Sequence, residues 1–252
     1  MSIMEHVKAH HDKIIDLRGG EVVMTSLIGS QNYGLDTEKS DYDTFSLVLP
    51  SFEDLAFAKD PVAGEYDVED GKCMYKDIRI ALNLLKKPSP NSLEVFFSNY
   101  VYINPRYKEI IDNYINYPPH AQYVMHCSYQ HMIDACVGMS KQLAIRNMPS
   151  GKKLSHAIRM KNMLPYYLDN LYAKDLLKIH DEDDLLLAQE VKPIKDRNFD
   201  ELCVKIANYL NRVGRNFKKT GWHTEIETIG TSYVEQLQLD LMDKYINSGA
   251  LQ

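Results

Sequence analysis

The stretch that most restricts the fold runs from Val22 to Leu49. Two short apolar runs, Val22 to Ile28 and Thr44 to Leu49, flank a polar segment. That segment reads Gly29-Ser30-Gln31-Asn32-Tyr33-Gly34-Leu35-Asp36-Thr37-Glu38-Lys39-Ser40-Asp41-Tyr42-Asp43. Each run has the length of a buried strand and is too short for a typical helix. Pro50 bounds the second run. The two strands therefore enter and leave one polar loop.

Around this unit the front half reads as α+β. Met4, Val7, Ile14, Ile15 and Leu17 recur at helical spacing, and Gly19-Gly20 is expected to end that helix. Glu65 to Val68 and Lys72 to Ile78 predict a hairpin around Asp70-Gly71, because Asp-Gly suits a tight turn. Asp77 can cap a helix over Ile78 to Leu85, which stops before Pro88. Ser92 to Phe97 is expected to be a short helix, and Tyr100 to Ile103 an edge strand before Pro105.

From about residue 106 helical periodicity takes over, with helices predicted near 106–116, 120–146, 152–173, 182–189, 199–217 and 222–246. Breaks are expected at Pro118-Pro119, Pro149-Ser150-Gly151, Pro193 and Gly221. The acidic run Asp181 to Asp184 is expected to cap a helix N-terminus, where negative charge is favoured. The expected architecture is α+β: a small mixed sheet flanked by helices over 1–105, then an all-helical region over 106–252.

Composition excludes some classes. A net charge of -6 argues against a broad nonspecific nucleic-acid surface, though not against a local basic groove. Cys73, Cys127, Cys136 and Cys203 lack CxxC pairing, so reduced structural thiols are expected rather than zinc. No stretch is long and apolar enough to span a membrane and none resembles a signal peptide, so a cytoplasmic location is expected.

The loop carries the chemistry. Asp41 and Asp43, two residues apart on an extended chain, project to one face. Adjacent carboxylates repel unless a cation neutralises them, and hard oxygen ligands suit Mg²⁺ or Mn²⁺. A solvated turn is the other role open to them. At Gly29-Ser30 a glycine permits close approach of a phosphate, a following helical turn offers N–H donors, and the serine adds a hydroxyl. Tyr33 can stack on a base or ribose, or simply pack. Lys152, His156 and Arg159 fall four and three residues apart, on one helical face that can clamp a triphosphate or a nucleic-acid backbone. An ordinary exposed helix is the alternative.

A strand, Gly29-Ser30, Tyr33-Gly34, then Ser40-Asp41-x-Asp43 and a second strand together resemble the signature of the DNA polymerase β-like nucleotidyltransferase superfamily. The closer resemblance is to the predicted nucleotidyltransferases of the RNA-repair-pathway polymerase β-like group. Gly29 to Leu35 and Ser40 to Thr44 carry it, with Lys76-Asp77-Ile78-Arg79, Asn91 to Phe97 and Lys152 to Arg159. The match covers about residues 20–160; the helices after about 170 add little.

The resemblance implies a metal-dependent transfer of a nucleoside monophosphate from an NTP to a hydroxyl on RNA, protein or a small molecule. Gly29 and Ser30 would hold phosphates, and Asp41 and Asp43 the metals. A third carboxylate is expected near position 72 or 74, where this chain has Lys72 and Met74. Glu69 and Asp70 lie in the adjacent turn. Asp77 is the best substitute, with a helix cap as its other role. Without a third acid, two carboxylates could still bind one metal and a triphosphate, with transfer weak or lost. A catalytically impaired nucleotide- or RNA-binding protein on the same fold is thus one alternative, and a toxin–antitoxin partner another. The sequence leaves oligomeric state open.

Overall fold

The computed structural model describes residues 1–18, 21–38, 40–170 and 175–247. Gly19-Gly20, expected to end the first helix, lies outside these residues. The helix predicted over 152–173 ends earlier, at Asp169, because Asn170 is extended. The elements are α1 (Ile3–Arg18), β1 (Val22–Leu27), β2 (Thr44–Val48), α2 (Phe52–Ala56), β3 (Ala63–Val68), β4 (Gly71–Asp77), α3 (Ile78–Lys86), α4 (Pro90–Phe97) and β5 (Val101–Ile103). Helices follow: α5 (Lys108–Ile111), α6 (Pro118–Met125), α7 (Tyr129–Ile145), α8 (Ser150–Asp169), α9 (Glu182–Val191), α10 (Asp200–Asn216) and α11 (Gly221–Asn247). The fold is α+β, with a helical C-terminal region, as the sequence implied.

The five strands lie in the order β3-β4-β2-β1-β5. β1 and β2 pair antiparallel, with Leu27 opposite Thr44. The Ile28 amide donates to the Asp43 carbonyl at 2.8 Å and carries that ladder one step into the loop. β4 runs parallel to β2, with Thr44 opposite Cys73 and Val48 opposite Asp77. The Gly-Ser turn, Asp43 and the start of β4 therefore share one end of the sheet.

β1 and β2 are buried along their whole length because helices cover both faces. One face carries α1, whose buried side chains are Val7, His10, His11 and Ile14. Met4, Ile15 and Leu17, expected to be apolar anchors, are exposed instead. Histidines fill the stripe because the strands beneath present hydroxyls: His11 Nδ1 meets Thr25 Oγ1 at 2.9 Å, and His10 Nδ1 meets Thr44 Oγ1 at 3.0 Å. Burial thus pairs polar groups rather than leaving them unsatisfied. The opposite face opens into one apolar cluster shared by Phe45, Leu47, α3, α4 and the later helices as far as Tyr245.

The helix predicted over 120–146 is two helices. Ser128 breaks it by accepting the His131 amide and capping α7. Pro118-Pro119, expected as a break, opens α6, where a missing N–H costs nothing. Ser51 and Asp54 form a capping box that starts α2, which periodicity did not reveal. Asp181 caps α9 as the acidic run implied.

Asp77 does not approach Asp41 and Asp43. It lies at the far end of β4, 1% exposed, and caps α3 by accepting the Arg79 amide at 2.8 Å. Its other oxygen pairs with Arg79 Nη2 at 2.7 Å. The expectation of a third metal carboxylate at Asp77 is therefore corrected: parallel pairing sends this residue away from the loop end. Asp77→Ala should cost about 2 kcal/mol through the lost cap and the stranded guanidinium. Urea unfolding will read that loss, while nucleotide affinity should stay unchanged.

Candidate functional site

The loop between β1 and β2 is braced from three sides. Gly29 adopts φ +102°, a conformation that side-chain-bearing residues rarely take, and it turns the chain out of β1. Ser30–Tyr33 then forms one 3-10 turn, closed by Gly34 at φ +66°. Gln31 Nε2 donates to the Asp41 carbonyl at 2.8 Å, tying the beginning of the loop to its end.

The aspartates are fixed through the residue between them. The Tyr42 ring stacks on His6 of α1, with centroids 4.0 Å apart. Its amide donates to the Asp70 carbonyl at 2.8 Å. Gly71 packs so closely that a Cβ there would lie 2.6 Å from the Tyr42 carbonyl oxygen. Asp70 in turn meets His6 Nδ1, and His10 Nε2 at 2.9 Å. Tyr42 is thereby held against α1, so Asp41 and Asp43 project to the opposite face with Phe45. Asp41 is exposed and Asp43 half-buried. Asp43 Oδ1 accepts the Lys72 amide at 3.1 Å. Burial, and then the charge of Asp41, raise the Asp43 carboxyl above the usual range despite that bond. A carboxylate held where its charge is disfavoured attracts a cation.

Facing the aspartates is α8. Gly151 lets the helix start against the C-terminal end of α9; a Cβ there would lie 1.8 Å from the Val191 carbonyl oxygen. This contact sets Lys152 beside Lys192. Burial first, and then repulsion from Lys152, lower the Lys192 pKa. Lys192 Nζ donates to the Leu35 carbonyl, and Gln189 Nε2 to the Gly34 carbonyl at 2.8 Å. α9 is thus strapped over the Gly-Ser loop. Lys192 was not foreseen; it sits before Pro193 outside any helical face that the sequence singled out.

Gly29, Ser30, Tyr33, Asp41, Asp43, Lys152, His156, Arg159 and Lys192 line one cleft of about 380 Å³. The structure therefore brings together the sequence-predicted residues other than Asp77. Their environments differ. Lys152 is exposed at the mouth. Burial, and then the charges of Arg159, Lys152, Lys192 and Arg146, push His156 down to about 3, so its imidazole is neutral.

Arg159 is 5% exposed, lies 4.2 Å from the Tyr33 ring centroid, and pairs with Glu94 at 3.8 Å. Tyr33 is 3% exposed and accordingly supports Arg159 from within the core. Burial raises Glu94 while Arg159 opposes the rise. Glu94 Oε1 accepts the Gly29 amide at 2.6 Å. Glu94 thus clamps the turn that the sequence assigned to phosphate; its acidity among Leu93, Val95 and Phe96 was the available signal. Lys153 is buried and pairs with Asp200 at 3.0 Å, away from the cleft.

The donor set suits a hard divalent cation. Two carboxylates sit beside a cationic pocket, and Mg²⁺ is commonly held by one or two carboxylates plus substrate phosphates. Among the described residues no group of three or more His, Cys, Asp or Glu side chains could hold a metal ion without such help. Strand β4 carries Lys72 and Met74 at the positions where an acid was sought. Glu65 of β3, opposite Met74, reaches the same face but pairs with Lys72 Nζ at 2.9 Å. Asp70 belongs to the α1 side and does not line the cleft.

No helix among the described residues is long and apolar enough to cross a membrane. No curated protein matches this chain. Residues 3–161, more than half of its 252 residues, match a family that spans the Gly-Ser turn, both aspartates and α8 as far as Arg159. The chain belongs to the RNA repair pathway DNA polymerase beta family.

Proposed function

We propose that the protein is a metal-dependent nucleotidyltransferase. It moves a nucleoside monophosphate from an NTP to a hydroxyl acceptor. The observation that carries this reading is the single cleft in which Gly29-Ser30, the Asp41–Asp43 pair, Lys152 and Lys192 meet.

Lys152 and Lys192 supply positive charge for the β- and γ-phosphates, and Ser30 adds a hydroxyl. The Gly29 amide is already used by Glu94, so the turn contributes shape and the Ser30 side chain rather than that donor. Asp41 and Asp43 would hold Mg²⁺ or Mn²⁺, which supplies charge neutralisation at the transferring phosphorus and the leaving oxygen. The His6–Tyr42 stack and the Glu94–Arg159 pair hold the two sides of the cleft at fixed separation, which is how positioning lowers a transfer barrier.

Lys72 and Met74, where an acid was sought, favour a second reading: a protein that binds nucleotide but transfers poorly. Incubation with Mg²⁺ or Mn²⁺ and α-labelled NTPs separates the two. Label transfer with pyrophosphate release is the expected result. Saturable binding without turnover under either metal would replace it with the second reading.

A further inference from the structure

The cleft has a second lobe. Beyond Asp43, a cavity of about 680 Å³ shares Ile28, Gly29, Asp43, His156 and Arg159 with the phosphate lobe. Phe45 and Met74 form its floor, and Val95, Met139 and Leu143 its roof. Size and apolar lining are those of a small-molecule site.

Its charges are unbalanced. Glu94 is paired with Arg159, and Glu65 with Lys72. Lys76 and Arg146 line the cavity as well, and no carboxylate of the described residues pairs with either. Lys76 Nζ lies 5.7 Å from the centroid of the Phe45 ring. Beside Asp43, which the transferase reading gives to the metal, the lobe therefore offers two cations over an apolar floor.

Phosphoryl transfer places the attacking and leaving oxygens roughly in line across phosphorus. If pyrophosphate leaves into the lobe of Ser30, Lys152 and Lys192, the attacking hydroxyl comes from the other side of Asp43. That side is this cavity.

We infer that the second lobe is the acceptor site, and that the acceptor is a small hydroxylated organic anion with an apolar body. This rests on the transferase reading above. The acceptor oxygen bonds to the α-phosphorus as the bond to the β-phosphate oxygen breaks. Pyrophosphate departs, and the hydroxyl proton leaves to solvent. A polynucleotide acceptor would need a cationic track leading away from the mouth. Beside Glu65 of the cavity lining, Lys72 is itself paired with Glu65 and Asp67.

The test uses the full chain and two probes: anilinonaphthalene sulfonate, an apolar anion, and a fluorescent nonhydrolysable ATP analogue with Mg²⁺. Lys76→Glu should weaken the sulfonate at least about tenfold by reversing a charge at the site. It should leave the nucleotide analogue within about twofold. Met139→Trp, which fills the roof, should act in the same direction, and Lys76→Glu stands alone if that variant fails to fold. Both probes bound at once supports the acceptor lobe. Displacement of the sulfonate by the ATP analogue overturns it, since the lobe would then hold the nucleoside. Displacement by a short RNA also overturns it. Intact nucleotide binding with Lys76-insensitive sulfonate binding sinks the acceptor lobe alone. Loss of nucleotide binding by the unaltered protein sinks the transferase reading, and the acceptor role with it.

Discussion

Asp41→Asn together with Asp43→Asn is expected to abolish Mg²⁺-dependent nucleotide binding while leaving the fold intact. Asparagine keeps the size of each side chain, and its carbonyl can still accept the Lys72 amide now bonded to Asp43. What disappears is the charge. Burial and the neighbouring Asp41 already disfavour the Asp43 carboxylate, as its raised pKa records. Removing both charges therefore relieves a cost in the free protein and deletes the attraction for a divalent cation. The metal-dependent part of the affinity should fall on the order of 100-fold or more, about 2.8 kcal/mol. Titration with a fluorescent NTP analogue, with and without Mg²⁺, measures it. The urea midpoint should be unchanged or higher. Unaltered metal-dependent affinity in the double variant would remove the site from residues 41 and 43.

Arg159→Ala is expected to give the largest loss of stability. Its guanidinium is the partner of a carboxylate nine-tenths buried or more, and it covers the Tyr33 ring. Deleting one member of a buried pair leaves the other charge uncompensated, at a cost of about 3–5 kcal/mol. Glu94→Gln should restore part of that stability in the double variant, because the stranded charge is then gone. The sign of the pH dependence follows. In Arg159→Ala the Glu94 pKa, already raised by burial, loses the charge that held it down. A carboxyl whose folded pKa exceeds its unfolded value adds stability at low pH and loses it as pH rises through the folded pKa. The variant should therefore be closest to the parent in mild acid and furthest from it above neutrality. Urea unfolding across that range tests both claims. A flat profile would show that Glu94 is not the group left stranded. Nucleotide affinity should fall as well, because Glu94 would no longer hold the Gly29 amide in place.

The legible part of the site was the part encoded locally. A two-residue spacing puts Asp41 and Asp43 on one face, and glycines at 29 and 34 mark the turn. Lys152, His156 and Arg159 share a helical face, and all three line the cleft with the aspartates. What spacing could not give was the use of each group. Arg159 belongs to Glu94 and Tyr33 within the core, and a helical wheel is silent about which cation a distant carboxylate will meet. Lys192 enters the cleft because α9 crosses the loop, a contact between residues far apart in sequence. Asp77 looked available because it follows a strand next to the aspartates. Its register, opposite Val48, places it at the wrong end.

On its own, the sequence determined the strands, the turn between them and the face on which two carboxylates would stand. Those features follow from backbone sterics and from side-chain periodicity over a few residues, which any fold containing the segment must obey. The tertiary structure alone decided that histidines of α1 would hold Tyr42 and Asp70. It likewise decided that Glu94 would be paired with Arg159, and that a second, apolar lobe would open beyond Asp43. Those outcomes depend on which surfaces meet when the helices pack on the sheet, and on the burial that then fixes the charge of each group.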